Sequence, residues 1–124
     1  MRVYLLLEEV KQYVEGALAY LNEQKRNYTY EEIVALESRA QEKYSTLYKK
    51  KAFKSSITAL EGRRITLLHS KYIILNYLKT IMETLDVSNT SEIKNIDIDD
   101  LSLKIFEKTD KLGYSKYLES KNKR

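Results

Sequence analysis

The chain contains no cysteine, no proline and no tryptophan, three glycines and a single histidine. Without cysteine there is no disulfide and no thiolate metal site, and a reducing cytoplasm is the compartment this composition fits most easily. Tight turns draw on proline and glycine, so a strand-rich fold is disfavoured and long uninterrupted helices are favoured. No P-loop, GxGxxG or GxSxG pattern occurs, which leaves nucleotide chemistry of those kinds and serine nucleophilic catalysis without support. Long hydrophobic runs are also missing. The most apolar stretch, Ile65 to Met82, is broken by His69, Lys71, Asn76 and Lys79, so no membrane partner is expected. The N-terminus is briefly apolar from Val3 to Leu7 but runs straight into Glu8 and Glu9, which is not the shape of a signal peptide.

What is present is charge, tyrosine and helical periodicity. The chain has 124 residues, 43% hydrophobic and 32% charged, with 11 tyrosines and a formal net charge of +4. That length supports one domain with one core. The abundance of Tyr, Lys, Ile and Asn points to an AT-rich genome, and a thermophilic archaeon or its virus is the expected source.

Apolar spacing of three and four predicts helix 1 from about Val3 to Arg26, with Val3, Leu6, Leu7, Val10, Val14, Ala17, Leu18 and Leu21 on its stripe. Thr29 and Glu32 form a capping-box pattern at the start of helix 2, about Tyr30 to Lys50. Its stripe is Ile33, Leu36, Ala40, Tyr44 and Leu47. Helix 3 is predicted from Ser55 or Ser56 to Leu85, or from a second capping box at Thr58 and Glu61. It is apolar on almost every side between Ile65 and Leu78, which marks it as central. Asp86 to Ile96 reads as a loop. Asp97 and Asp100 cap helix 4, about Ile98 to Leu112, with Gly113 at C′. Ser115 opens a short last helix. The prediction is an all-α bundle of about four main helices around a long third helix, in one domain, with a tail frayed from about residue 114.

Charge is uneven. From Lys43 to Arg64 there are seven basic residues and one acid, Glu61, whereas Glu92 to Asp110 holds six acids and three lysines. The basic window is interleaved with Tyr44, Tyr48 and Phe53, as in a surface that tracks phosphates and stacks bases. Lys49, Lys50, Lys51, Lys54, Arg63 and Arg64 are the candidate nucleic-acid contacts; a solvated basic face is the alternative.

Glu37 is the sharpest single residue. Helical spacing places it with Ile33, Ala40 and Tyr44, so a carboxylate lies on an apolar stripe, which is costly without a partner. Two readings stand: a functional carboxylate, or a structural one that reaches water or Arg63 or Arg64. His69 lies one turn from Ile65, Tyr72 and Ile73 and reads as a packing residue, because a metal needs several converging donors. Asp97, Asp99 and Asp100 lack the glycine and distal glutamate of an EF-hand and read as helix caps. No metal and no cofactor are expected.

Leu36-Glu37-Ser38-Arg39-Ala40 with Tyr44 beyond, then Gly62-Arg63-Arg64 and Leu75-Asn76-Tyr77, resembles the catalytic helical domain of the CRISPR spacer-acquisition integrases. In that family a metal-binding glutamate is followed by an aromatic, a basic segment and a Leu-Asn-Tyr helix. The resemblance covers about Glu32 to Leu78 and carries over Glu37 alone. His69 precedes the Leu-Asn-Tyr segment instead of following it. The proline-containing segment, the N-terminal β-domain and the downstream acidic partner are absent. The resemblance therefore implies a shortened, inactive relative. The expected function is a non-catalytic accessory protein that binds nucleic acid, a nucleoprotein complex or further copies of itself, a viral inhibitor of a CRISPR complex included. The alternatives are a metal-dependent nuclease or integrase fragment centred on Glu37, and an assembly protein acting through helix–helix contacts.

Overall fold

The structure is a computed structural model that describes residues 3–52 and 59–122. Among these residues it is all-α, with no strand. Five helices follow in order: α1 (Leu7–Glu23), α2 (Tyr30–Ala52), α3 (Ala59–Leu85), α4 (Ile98–Thr109) and α5 (Lys111–Asn122), with a single 3₁₀ turn at Thr90–Glu92 before α4. The described helices thus number five rather than about four.

The core follows the three-and-four spacing. Val10, Val14 and Ala17 of α1, Ile33 and Ala40 of α2, Leu75, Leu78, Ile81 and Met82 of α3, and Leu101, Ile105 and Phe106 of α4 are all buried. Helix α3 packs on α1, α2 and α4 and is the hub of the bundle.

Hydrogen bonding sets the ends. At the start of α2 the Thr29 N–H donates to Glu32 Oε1 at 3.0 Å and the Glu32 N–H donates to Thr29 Oγ1 at 3.1 Å, the expected capping box. The backbone hydrogen bond from Thr29 and the neighbouring Arg26 hold the Glu32 carboxyl below its usual range. Asp97 Oδ1 accepts from the Asp100 N–H and caps α4. Helix α3 ends with Asp86 in the left-handed region, φ 55°, while the Val87 N–H reaches back to the Met82 carbonyl. That is a Schellman-type stop with aspartate where glycine is usual. The expected loop Asp86–Ile96 is tied down by Tyr30 N–H to Ser88 O and Thr90 N–H to Tyr28 O, both 2.8 Å.

Three boundaries differ from the sequence expectation. Helix α1 starts at Leu7, because the Leu5 N–H is bound by Asp110 Oδ2 at 2.7 Å and Leu6 is extended. It stops at Glu23, and Arg26 instead lies over the Tyr28 ring and pairs with Glu32. Helix α4 stops at Thr109 rather than Leu112. Asp110 leaves helical geometry, and its Oδ1 accepts the Gly113 N–H at 2.9 Å, so it caps a new helix. Gly113 is therefore not a C′ residue. It is buried inside α5, and a Cβ there would lie 2.7 Å from the Leu5 carbonyl oxygen and 2.7 Å from Phe106 Cε1. The segment expected to fray from about residue 114 is helical to Asn122, with Tyr114 and Tyr117 against Phe106. The expected Thr58–Glu61 capping box and the exact start of the third helix lie outside the described residues.

Candidate functional site: the projecting hairpin of α2 and α3

Helices α2 and α3 run antiparallel, and three cross-helix contacts fix their register. The Tyr30 hydroxyl donates to the Glu83 carboxylate. Asn76 Nδ2 donates to Glu37 Oε2 at 2.8 Å. The Tyr44 and His69 rings lie 4.9 Å apart between centroids. Tyr30, Glu37 and Tyr44 ascend α2 in steps of seven; Glu83, Asn76 and His69 descend α3 in the same steps. This is the repeat of an antiparallel coiled coil, with polar and aromatic side chains at one seam position.

Glu37 is 7% exposed, and both of its oxygens are engaged. Oε2 takes Asn76, and Oε1 takes Lys79 Nζ at 3.1 Å. The expected partners Arg63 and Arg64 are not the ones used. They sit three to four turns nearer the start of α3, too far along the axis to reach Glu37. Each carboxylate oxygen thus accepts one hydrogen bond from α3, an amide on one side and an ammonium on the other. Among the described residues no group of three or more His, Cys, Asp or Glu side chains could hold an ion. Of the acids near α4, Asp97 is a cap, Asp99 pairs with Lys11 and Asp100 pairs with Lys104.

The core stops part-way along the hairpin. On α2 no residue from 41 to 49 is buried, and on α3 none from 62 to 74. Helices α1 and α4 pack on α3 toward the other end, and α5 packs on α4 and α1. The two helices therefore project roughly 15–20 Å past the bundle, at about 1.5 Å per residue. Leu67 lies on this part of α3 and is exposed, although the helix is apolar on nearly all sides in sequence.

The projecting part is basic. Lys43, Lys49, Arg63, Arg64 and Lys71 are all exposed there, and none forms an ion pair among the described residues. Glu42 is the only acid among the described side chains of these stretches. Of the six cations expected from sequence, the structure brings Lys49, Arg63 and Arg64 to this hairpin. Lys50 and Lys51 fall in the last turns of α2 with side chains outside the described residues, and Lys54 lies outside them altogether. Lys71 completes the basic surface beyond the window the sequence suggested.

Aromatic rings run along the same segment. His69, expected as a packing residue, is exposed, and its ring packs obliquely on Tyr44 at the surface. Tyr44 in turn lies 5.8 Å from Tyr48. Tyr48 is 52% exposed, and Leu67, flanked at helical spacing by Arg63, Arg64 and Lys71, is 70% exposed. Phe53 lies outside the described residues.

A cleft of about 580 Å³ elsewhere, between residues 4–8 and α5, is lined by Phe106, Lys116 and Tyr117 with Glu8 and Lys121 at its rim. It has mixed charge and no convergent donors. No helix among the described residues is long and apolar enough to cross a membrane. No protein family matches the chain, and neither does any curated protein or solved structure.

Proposed function

We propose that this chain is a non-catalytic accessory protein that binds nucleic acid, free or within a nucleoprotein complex, through the projecting end of α2 and α3. One observation carries this reading: five exposed cations, Lys43, Lys49, Arg63, Arg64 and Lys71, without acid partners among the described residues, stand on a hairpin that leaves the core. A rigid projecting element can approach a phosphate backbone without the rest of the molecule colliding, and the cations gain affinity by releasing counterions. The acids of α4 lie at the bundle end and do not oppose this. The engaged state of Glu37 supports a structural role for it rather than metal chemistry.

The test is direct binding of labelled DNA and RNA to the purified chain across a salt series, together with incubation in Mg²⁺ or Mn²⁺ to look for cleavage. Salt-sensitive binding without cleavage is expected. Cleavage abolished by Glu37→Ala would favour the nuclease alternative, and no binding at low salt would remove the nucleic-acid reading. A second reading, contact with a protein surface, draws on Leu67, whose exposed side chain gains from an apolar partner.

A further inference from the structure

We propose that the nucleic acid this hairpin selects is single-stranded, and that an unpaired base stacks on the Tyr48 ring. The inference rests on the nucleic-acid reading above and adds the strand form and the recognising side chain. Exposed cations attract any phosphate backbone and cannot tell one form from another. The ring can.

Three observations make Tyr48 suited to this. It is 52% exposed, the most exposed tyrosine or phenylalanine among the described residues. Its ring is braced from one side: Tyr44 lies 5.8 Å away at an interplanar angle of 33°, and Tyr44 is itself supported by His69 at 4.9 Å. A braced ring gives up little side-chain freedom when a base lands on its open side. Its flanks are cationic. Lys49 is the next residue, and the seven-residue register of the hairpin sets Lys49 level with Arg64 across the seam. A base on Tyr48 thus brings its phosphates to cations on both helices.

Duplex DNA cannot use the ring. Its bases are stacked on one another and offer only their edges in the grooves. The major groove, about 12 Å wide, admits one helix, whereas two helices abreast measure roughly 20 Å. A single strand presents base faces freely, and stacking on an aromatic side chain tolerates any base.

The experiment measures binding of the full chain to four probes of equal length at low salt: oligothymidine, an abasic strand with the same phosphates, RNA of the same sequence class and duplex DNA. Oligothymidine and RNA should bind at least about fivefold more tightly than the abasic strand or the duplex. Tyr48→Ala should lower oligothymidine affinity to that of the abasic strand and leave abasic and duplex binding unchanged; Tyr48→Phe should behave as wild type. Equal binding of oligothymidine and the abasic strand, or equal loss on all probes in Tyr48→Ala, overturns the stacking inference and leaves the nucleic-acid reading intact. Absence of binding to every probe overturns both.

Discussion

Asn76 donates to Glu37 across the seam of α2 and α3 at 2.8 Å, and the other carboxylate oxygen receives the Lys79 ammonium at 3.1 Å. This polar pair sits between two aromatic contacts one heptad away on either side, Tyr30 with Glu83 and Tyr44 with His69. A slip of the hairpin by one helical turn toward the start of α3 would set the Glu37 carboxylate against Tyr72 and Ile73 instead of Asn76. Polar groups at a coiled-coil seam fix register in this way, at some cost in stability relative to apolar packing.

Glu37→Ala should therefore destabilise the fold by about 1–3 kcal/mol, because it leaves Asn76 and Lys79 partly buried and unpaired. Lys79→Ala should cost less, since Lys79 is the more exposed partner. In a double-mutant cycle read by urea unfolding, the two changes should couple by at least about 0.5 kcal/mol. Additive losses would mean that the pair is a coincidence of packing.

Gly113→Ala should also destabilise, by about 1–3 kcal/mol. The added carbon meets Asp110 Oδ2 at 2.6 Å and the Leu5 carbonyl at 2.7 Å, and the latter is backbone that must move. Such a shift also strains the Asp110 carboxylate, which binds both the Leu5 and Gly113 N–H groups. Gly62 and Gly16 lie in helices with open space where a Cβ would stand, so changing either to alanine should stabilise, by up to about 1 kcal/mol. Thermal melts of the three variants separate close packing from helix propensity. A Gly113→Ala protein as stable as wild type would show that residues 3–6 do not dock against α5.

Stability should fall at alkaline pH through Tyr77. Burial, with Tyr13, Asp110 and Glu9 nearby, pushes its phenol up to about 12. In the unfolded chain the same group ionises near its ordinary value of about 10. The folded state thus holds the proton more tightly. The resulting stability is fully present below about pH 10 and is lost as pH rises through about 12. Tyr20, raised by burial, and Tyr30, raised by its bond to Glu83, add in the same direction. Urea unfolding at about pH 9 and about pH 11.5 should show a smaller decline in Tyr77→Phe than in wild type. Parallel declines would assign the pH dependence to other groups.

Much of this architecture was legible in the residues. The apolar spacing of Val10, Val14 and Ala17, the capping box at Thr29 and Glu32, and the Asp97 cap are local patterns, and they specify local structure. The misplaced features depend on contacts distant in sequence. Nothing near Leu5 announces that Asp110 will take its N–H, and Gly113 resembles a helix stop until Leu5 and Phe106 are seen against it. Glu37 was recognisable as a carboxylate needing a partner, but proximity to a basic stretch suggested Arg63 or Arg64. The signal that identifies Asn76 was present: Tyr30, Glu37 and Tyr44 repeat at seven, and so do His69, Asn76 and Glu83. It becomes readable only once the two helices are known to pair. The exposure of Tyr48, Leu67 and His69 was not legible, since it follows from where α1 begins relative to α3.

The basic hairpin makes a quantitative prediction. Each phosphate neutralised on duplex DNA lowers the slope of log affinity against log salt by about 0.9, and by about 0.7 on a single strand. Lys49, Arg63 and Arg64 are exposed, have no acid partner among the described residues and lie at matching levels of the two helices, so Lys49→Glu, Arg63→Glu and Arg64→Glu together should weaken binding and flatten the slope by about two contacts or more. The fold should tolerate the change, because exposed substitutions away from caps and buried groups usually alter stability by no more than about 0.5 kcal/mol. Reversing Lys111, Lys116 and Lys121 on α5 is the matched control: it changes the same number of cations on a helix outside the hairpin and should leave the slope almost unchanged. If both sets lower affinity equally, net charge is what attracts nucleic acid and the hairpin has no special part. If the hairpin set alone does so, phosphates are held where α2 and α3 leave the core.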